Sequence, residues 1–433
     1  MKRSIWATGA LLTIAMSVTA AEPKLHDSPA PPPGFPKFKW QEIASDFKIG
    51  YAVHIADVDG DGMPDIVVVD KDRVVWYENP SWKMRTITQG KTKPDNVCIC
   101  SLDIDGDGKL DFVVGAGWKP FDTKTPGTLQ WLRRGKTLDE EWEMFAIPCD
   151  EPMVHRVQTR EFYFGGRGES GFVMAPLMGR NATKEKNWMD GRPVNVLEYD
   201  LPEKPANPRL TESWKPKVIS NKLHVIHNFK LGHEQHRFGH VNDYYASYEG
   251  ISMFDFIART DQALHEGNQT DRTKSRGASE IDHFNGSFAT IEPWHGNQIV
   301  YYYPEYQRTE EVYRKLVKHH RVIVDDHLRW GHAVKFDFFR LGEKEDGELP
   351  FIIAGVRDNP DPKQGDKFTE KRGVRLYRAV DAKGEKWERY ILEDGGVAVE
   401  DLQVADLNGD GRPEIVAVGR ATQNCRIYWN QGK

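Results

Sequence analysis

Beyond its first eighteen residues the chain lacks any long apolar run. Nothing later approaches the ~20 apolar residues a helix needs to cross a bilayer, so no membrane span is expected. An excess of basic charge is also missing. Lysine and arginine number 59 against 65 aspartates and glutamates, for a net charge of −6, and without a basic face nucleic-acid binding is not expected. Cysteine is scarce, at four residues. Cys98 and Cys100 sit two apart on a strand-like stretch and point the same way, a poor geometry for a bond between them, so no disulfide is read from the sequence.

What is present begins with the signature of export. Lys2 and Arg3 precede an apolar stretch from Ile5 to Val18, and Val18-Thr19-Ala20 supplies the small residues a signal peptidase cuts after. Residues 1–21 therefore read as a signal peptide cleaved near Ala20/Ala21, and the mature protein as periplasmic or extracellular. Residues 22–40, with prolines at 29, 31, 32, 33 and 36, read as a stiff, unfolded leader to a folded body over 41–433.

That body carries a repeat. "ADVDGDGMPDIVVV" sets Asp57, Asp59, Asp61 and Asp65 ahead of an apolar run; "LDIDGDGKLDFVVG" repeats the offsets with Asp103, Asp105, Asp107 and Asp111, and "ADLNGDGRPEIVAV" with Asp406, Asn408, Asp410 and Glu414. The spacing is that of an EF-hand loop at its start, but the twelfth position, where the bidentate Glu belongs, is Val68, Val114 or Ala417. Each unit is instead strand, acidic loop, strand. Hard oxygen ligands on a Gly-rich backbone suit Ca²⁺ in a structural role, stapling a hairpin, because carboxylates this close repel without a cation.

A third strand rich in aromatics closes each unit: "VVWYENP", "LQWLRRG", "VNVLEYD", "IVYYYPE", "VRLYRAV" and "CRIYWNQ", with "GISMFDFIART" as a seventh. Seven units at irregular spacings of roughly 40 to 70 residues predict an all-β fold, a seven-bladed β-propeller with four-stranded antiparallel blades. Lys230 to Ser279, His-rich and charged but without an acidic loop, reads as a long inserted segment, a lid or a surface insertion.

The acidic loops resemble FG-GAP/VCBS repeats, as in the calcium-binding propeller of integrins. "EPMVHRVQ", "LHVIHNF", "ATIEPWHGNQIVYY", "RWGHAVKFD" and the stretch from Val399 to Asn430 are similar to the N-terminal propeller of aldos-2-ulose dehydratase and its exported bacterial relatives. In such a blade the inner strand enters from the face that also carries the loop between the second and third strands. The acidic loops join the first and second strands and belong to the opposite face.

Alignment on the first acidic position sets His155, His332 and Asp401 five residues ahead of Arg160, Asp337 and Asp406. The three should ring one mouth of the channel, joined by His227 at the head of an inner strand and His295 in a turn on that face. Arg156, Arg357, Asp358, Glu400, Arg420 and Gln423 fall at equivalent rim positions. A single histidine at a strand start is ordinarily a hydrogen-bonded channel residue, and Trp294 reads as blade packing; it is the gathering that points to a joint site. Neutral imidazoles with a carboxylate are ordinary zinc ligands, so His227, His295 and His332 are candidates to hold Zn²⁺. His155 is a candidate acid/base, Asp401 a base or a further ligand, and Arg156, Arg357 and Arg420 are expected to orient sugar hydroxyls or an anionic group.

The resemblance implies metal-dependent β-elimination of water from a keto-sugar. Two other functions stay open: a non-catalytic propeller binding carbohydrate or protein, since fold alone does not decide function, and a polysaccharide lyase on uronate polymers. A binding module should present exposed aromatics at its rim, whereas this rim reads as richer in His and Arg. Nothing in the sequence speaks to oligomeric state.

Overall fold

The acidic loops and aromatic strands resolve into seven antiparallel sheets set around one axis. A computed structural model describes residues 24–164, 167–202, 207–232, 242–255, 258–271, 274–307, 315–339, 349–357, 372–393 and 395–432. The expected signal peptide therefore lies outside the described residues.

The inner strands of blades 1 to 7 are Gly50–Ala56, Cys98–Leu102, Val154–Phe164, Ile226–Lys230, Glu280–Phe284, Gly331–Asp337 and Val399–Ala405. Each packs on the next around the axis, and the last returns to the first. Blade 7 is closed by both ends of the chain: Phe38–Ala44 pairs antiparallel with Cys425–Asn430, and His26–Asp27 adds a short fifth strand. This is the seven-bladed propeller predicted from the repeats.

The second strands Asp65–Asp70, Phe351–Val356 and Glu414–Gly419 are buried at every position. A blade covered by a neighbour on each side has no solvent face, so its central strand reads as a continuous β-branched run. All seven aromatic closing segments are third strands. Their large rings point between blades: Trp76, Trp131, Tyr199, Tyr301, Tyr377 and Tyr428 are fully buried, and Phe254 holds this place in blade 4. They wedge the sheets apart at the wider outer radius, where inner aliphatics would leave gaps.

Two expectations need correction. The Pro-rich stretch is not a free leader, because Phe35 is buried edge-on against Phe351 and Tyr390, and the body begins at Phe38, ahead of residue 41. Nor are residues 230–279 an insertion; Asn242–Ser247, Gly250–Asp255 and Thr260–His265 are the second, third and fourth strands of blade 4. Residues 233–241 lie outside the described residues. Blade 4 has no acidic loop, and only its closing strand, Gly250–Asp255, was recognised in the sequence. Among the described residues no helix is long and apolar enough to cross a membrane.

The wedge can be weighed. Trp131→Ala removes a fully buried ring and should cost about 3–5 kcal/mol of unfolding free energy, from lost transfer energy plus the cavity left behind. Chemical denaturation should show a lowered midpoint with an unchanged slope.

Candidate functional site

Five of the seven inner strands carry a β-bulge at the same place. Pairing slips between Gly50 and Ala52, Val154 and Arg156, Ile226 and Asn228, Gly331 and Ala333, and Val399 and Asp401. A bulge leaves one residue unpaired and re-aims its side chain. The unpaired residues are Tyr51, His155, His227, His332 and Glu400, and all five line one cavity of about 300 Å³. Blade 5 has no slip between its first two strands. It contributes His295 instead, from the turn after its second strand, where the backbone takes φ 50°.

The four imidazoles form one cluster. Ring centroids lie 4.8 Å apart for His155 and His227, 4.6 Å for His227 and His295, 4.9 Å for His227 and His332, and 4.7 Å for His295 and His332. Neighbouring blades set their orientation. The Nδ1 of His155 donates to the His227 carbonyl at 3.0 Å, and that of His332 to the Glu400 carbonyl at 2.6 Å. Since a carbonyl oxygen only accepts, both Nδ1 atoms carry the proton, leaving each Nε2 lone pair to face the cavity. There Arg156 donates to His155 Nε2 at 3.3 Å and Arg357 to His332 Nε2 at 3.1 Å. His227 Nδ1 meets Glu280 Oε1 at 2.6 Å, and its Nε2 lies 2.8 Å from that of His295.

Charge is paired beneath the rings. Glu400 accepts from Arg357 and Arg420, each at 2.9 Å, while Arg156 stands 3.8 Å from Glu280. Burial holds all four histidines well below the usual imidazole range, and the Arg156 and Arg357 guanidiniums push the same way. Burial raises Glu280 to about 7. The cluster is neutral imidazole at pH 7.

His227, His295 and His332 offer nitrogens that all lie within 4.8 Å of one another. Their outer partners, the Glu280 carboxylate and the Glu400 carbonyl, are the kind that fix metal-binding imidazoles. On this donor chemistry the three fit a zinc ion.

Of the other expected rim residues, Arg156, Arg357, Glu400 and Arg420 line the cavity. Asp401 does not. It faces a second, polar cavity of about 470 Å³ in the channel, with Arg156 and Lys335, and accepts from the Val53 amide at 3.1 Å; burial raises it to about 6. The inner strands of blades 6 and 7 run Gly331–Asp337 and Val399–Ala405, so Asp337 corresponds to Ala405, not Asp406, and Glu400 is the true counterpart of His332. One residue of slip sends a side chain to the other side of a strand. Gln423 is also elsewhere, its amide donating to the Lys48 carbonyl at 3.1 Å. Asp358 lies outside the described residues.

Trp294 proves to be a wall of the cavity, stacked on His295 at 4.1 Å, in addition to packing on Tyr248. Sequence reasoning missed Tyr51, Trp118, Phe121 and Trp330, which also line it. Phe121 and Trp330 are exposed, so aromatics stand beside the His and Arg of the rim. Their signal was present: Trp118, Phe121 and Trp330 sit in connections on the face of the inner-strand starts, close to Gly or Pro, and Tyr51 follows Gly50 at the head of an inner strand.

The acidic loops occupy the far ends of the inner strands in blades 7, 1 and 2. Asp57 accepts from the Gly60, Asp61 and Gly62 amides, and Asp103 from Gly106, Asp107 and Gly108. Carboxylate oxygens of Asp57, Asp59 and Asp61 lie within 4.8 Å of one another, as do those of Asp103, Asp105 and Asp111. Asp65 ties the Val58 and Asn79 amides at 2.9 and 2.8 Å, and Glu414 the Leu407 amide at 2.8 Å. Buried oxygens of Asp105, Asp406 and Glu414 have no hydrogen-bond donor, which fits a cation. Part of the charge is already met, by Arg133 on Asp105 and Asp107 and by Arg412 on Asp410; Asn408 bonds within its loop.

Known proteins bear on both faces. Residues 50–114 match the FG-GAP-like repeat, and residues 126–305 match the aldos-2-ulose dehydratase β-propeller domain. Residues 126–305 are thus similar to the propeller of aldos-2-ulose dehydratase. The second match takes in His155, His227 and His295 and stops short of His332 and Glu400. No curated protein matches the chain. Among solved structures, BBS1N in complex with ARL6DN is similar at 13% identity and a TM-score of 0.50, covering 90% of this chain and 96% of that one. U3-55K is similar at 10% identity and 0.50, covering 90% and 98%, and a chain of the mitotic checkpoint complex at 8% and 0.50, covering 98% and 100%. At such identity these likenesses concern the fold alone.

The depressed histidines make stability depend on pH. A group whose folded pKa lies below its unfolded value of about 6.5 binds more protons when unfolded, so its contribution is complete above pH 6.5 and is lost as pH falls beneath it. Beneath pH 6.5 these histidines pull the melting temperature down as pH falls, while Glu280, raised to about 7, and Asp401, raised to about 6, bind their protons in the folded state first and pull it up. Between pH 6.5 and pH 4 a His155→Gln/His332→Gln variant should therefore gain melting temperature relative to the unsubstituted protein as pH falls, read by calorimetry.

Proposed function

We propose that the protein is an exported, calcium-stabilised propeller whose histidine pocket eliminates water from a keto-sugar. The observation that carries this is the gathering of four neutral imidazoles and three guanidiniums from five blades around one cavity of ligand size. The likeness of residues 126–305 to the dehydratase propeller supports the reaction class.

A zinc ion held by His227, His295 and His332 would supply Lewis acidity toward the sugar carbonyl. The chain's own groups account for the proton and the charge. His155, with Nδ1 protonated and Nε2 unprotonated, takes the proton from the carbon beside the carbonyl, a contribution of typically ~10²–10⁴-fold. Arg357 and Arg420, clamped by Glu400, offer donors to the oxygen on which negative charge develops. The proton on His155 Nε2 then passes to the departing hydroxyl. One C–H and one C–O bond break, a C=C bond forms next to the carbonyl, and water leaves. Arg156 shares the Nε2 of His155 and holds the ring in place until substrate enters.

The exposed Phe121 and Trp330 favour a second function, non-catalytic sugar binding. Incubation with 3-keto-glycosides and 1,5-anhydrofructose separates the two, with ultraviolet detection of a conjugated enone and metal analysis of the purified protein. Elimination predicts an enone and bound zinc, and loss of the enone in His155→Ala and in His332→Ala. Sugar binding with no enone from any keto-sugar leaves the binding function alone.

Calcium on the acidic loops gives a separate outcome. Calcium at a hundred times its Kd should add about 2.7 kcal/mol of stability per site, raising the melting temperature relative to chelator-treated protein. Asp57→Ala or Asp406→Ala should reduce that gain while leaving enone formation in place.

A further inference from the structure

Phe121 and Trp330 stand apart from the other rings of the pocket. Phe121 is 60% exposed and Trp330 42%, and no other large apolar residue lining the cavity is exposed. They belong to opposite sides of the mouth: Phe121 follows the second strand of blade 2, and Trp330 precedes the first strand of blade 6, three to four blades away around the ring.

Both are held in an unfavourable backbone. Phe121 has φ 64° and Trp330 φ 57°, and the flanking residues Trp188 and His295 have φ 62° and 50°. A bulky side chain in the left-handed region is uncommon and costs on the order of 1–3 kcal/mol, and such strain collects where a ligand is gripped. Supports hold the rings from behind. Trp188 stacks on Phe121 at 5.2 Å with 12° between planes, and the Arg357 guanidinium lies 5.0 Å from the Trp330 centroid. Each ring thus keeps one face backed and another open, at the edge of a polar floor of His, Arg and Glu.

We propose that these two rings form a second sugar subsite at the mouth, so that the preferred ligand is a glycoside of two or more rings and not a free monosaccharide. This rests on the pocket's reading as a sugar site. A pyranose ring offers a face of C–H bonds to an aromatic plane and hydroxyls at its edge, which is the pattern of exposed ring beside charged floor found here. A cavity of about 300 Å³ lies at the low end of ligand pockets. It takes the ring that reacts, and the next ring lies between Phe121 and Trp330.

Titration calorimetry of the whole protein with glucose, cellobiose, maltose and trehalose tests this. At least one disaccharide should bind about tenfold tighter than glucose. Phe121→Ala and Trp330→Ala should each bring the disaccharide-to-glucose ratio toward one, and Trp330→Phe should retain it. Melting curves of the variants separate lost stacking from lost folding, and Phe121→Ala, at an exposed ring, tests the idea even if Trp330→Ala unfolds. Equal affinities for glucose and all three disaccharides, or an unchanged ratio in both alanine variants, overturn the subsite. So does preferential binding of a peptide library over sugars. The two proposals fail separately: a length preference without an enone keeps the subsite and removes the elimination, while an enone formed with the same KM from mono- and disaccharide keeps the elimination and removes the subsite.

Discussion

The site depends on a single slip in strand pairing, repeated five times. In an unbroken antiparallel strand, residues alternate between the two faces of the sheet, and the first residues of an inner strand would face neighbouring blades or the axis by turns. The bulge after the first residue frees the second from this alternation. Because it recurs at the same position in blades 1, 3, 4, 6 and 7, the freed side chains converge on one volume. The ring multiplies a local irregularity into a cavity lined by residues up to 369 positions apart, Tyr51 to Arg420.

Convergence also sets the electrostatics. Each freed histidine bonds through Nδ1 to a group of the next blade, so tautomer and ring orientation are consequences of blade packing, and the Nε2 atoms are left for the cavity. Burial and the nearby guanidiniums keep the rings neutral. Glu400 and Glu280 in turn keep those guanidiniums from being unpaired charges in a desolvated place. The acidic loops, at the far ends of the inner strands of blades 7, 1 and 2, concentrate negative charge far from this balance. The acidic clusters and the histidine pocket are thereby separated by the length of an inner strand.

Much of the architecture could be read from residues alone. The aromatic closing strands were all found because a blade is covered on both sides, and its wedge needs a large ring at a fixed place. Blade 4 was the weakest unit to read, having neither an acidic loop nor the usual closing Trp or Tyr; Phe254 does that work instead. The histidines were legible too, since three begin inner strands and the fourth lies in a turn on the same face. Asp401 was misplaced for a specific reason. Counting back from an acidic residue assumes that Asp337 and Asp406 are equivalent, and one position of difference exchanges Glu400 for Asp401.

By itself, then, the amino-acid sequence determined the all-β class, the seven blades, the acidic hairpins and the kind of residues at the channel mouth. These are set by local alternation, turn chemistry and ring size, which repeat along the chain. Only the tertiary structure decided which side chain of each inner strand enters the cavity, which nitrogen of each imidazole is free, and that Phe121, Trp294 and Trp330 wall the pocket. Those outcomes depend on pairing register and on contacts between blades, which are set by distant parts of the chain.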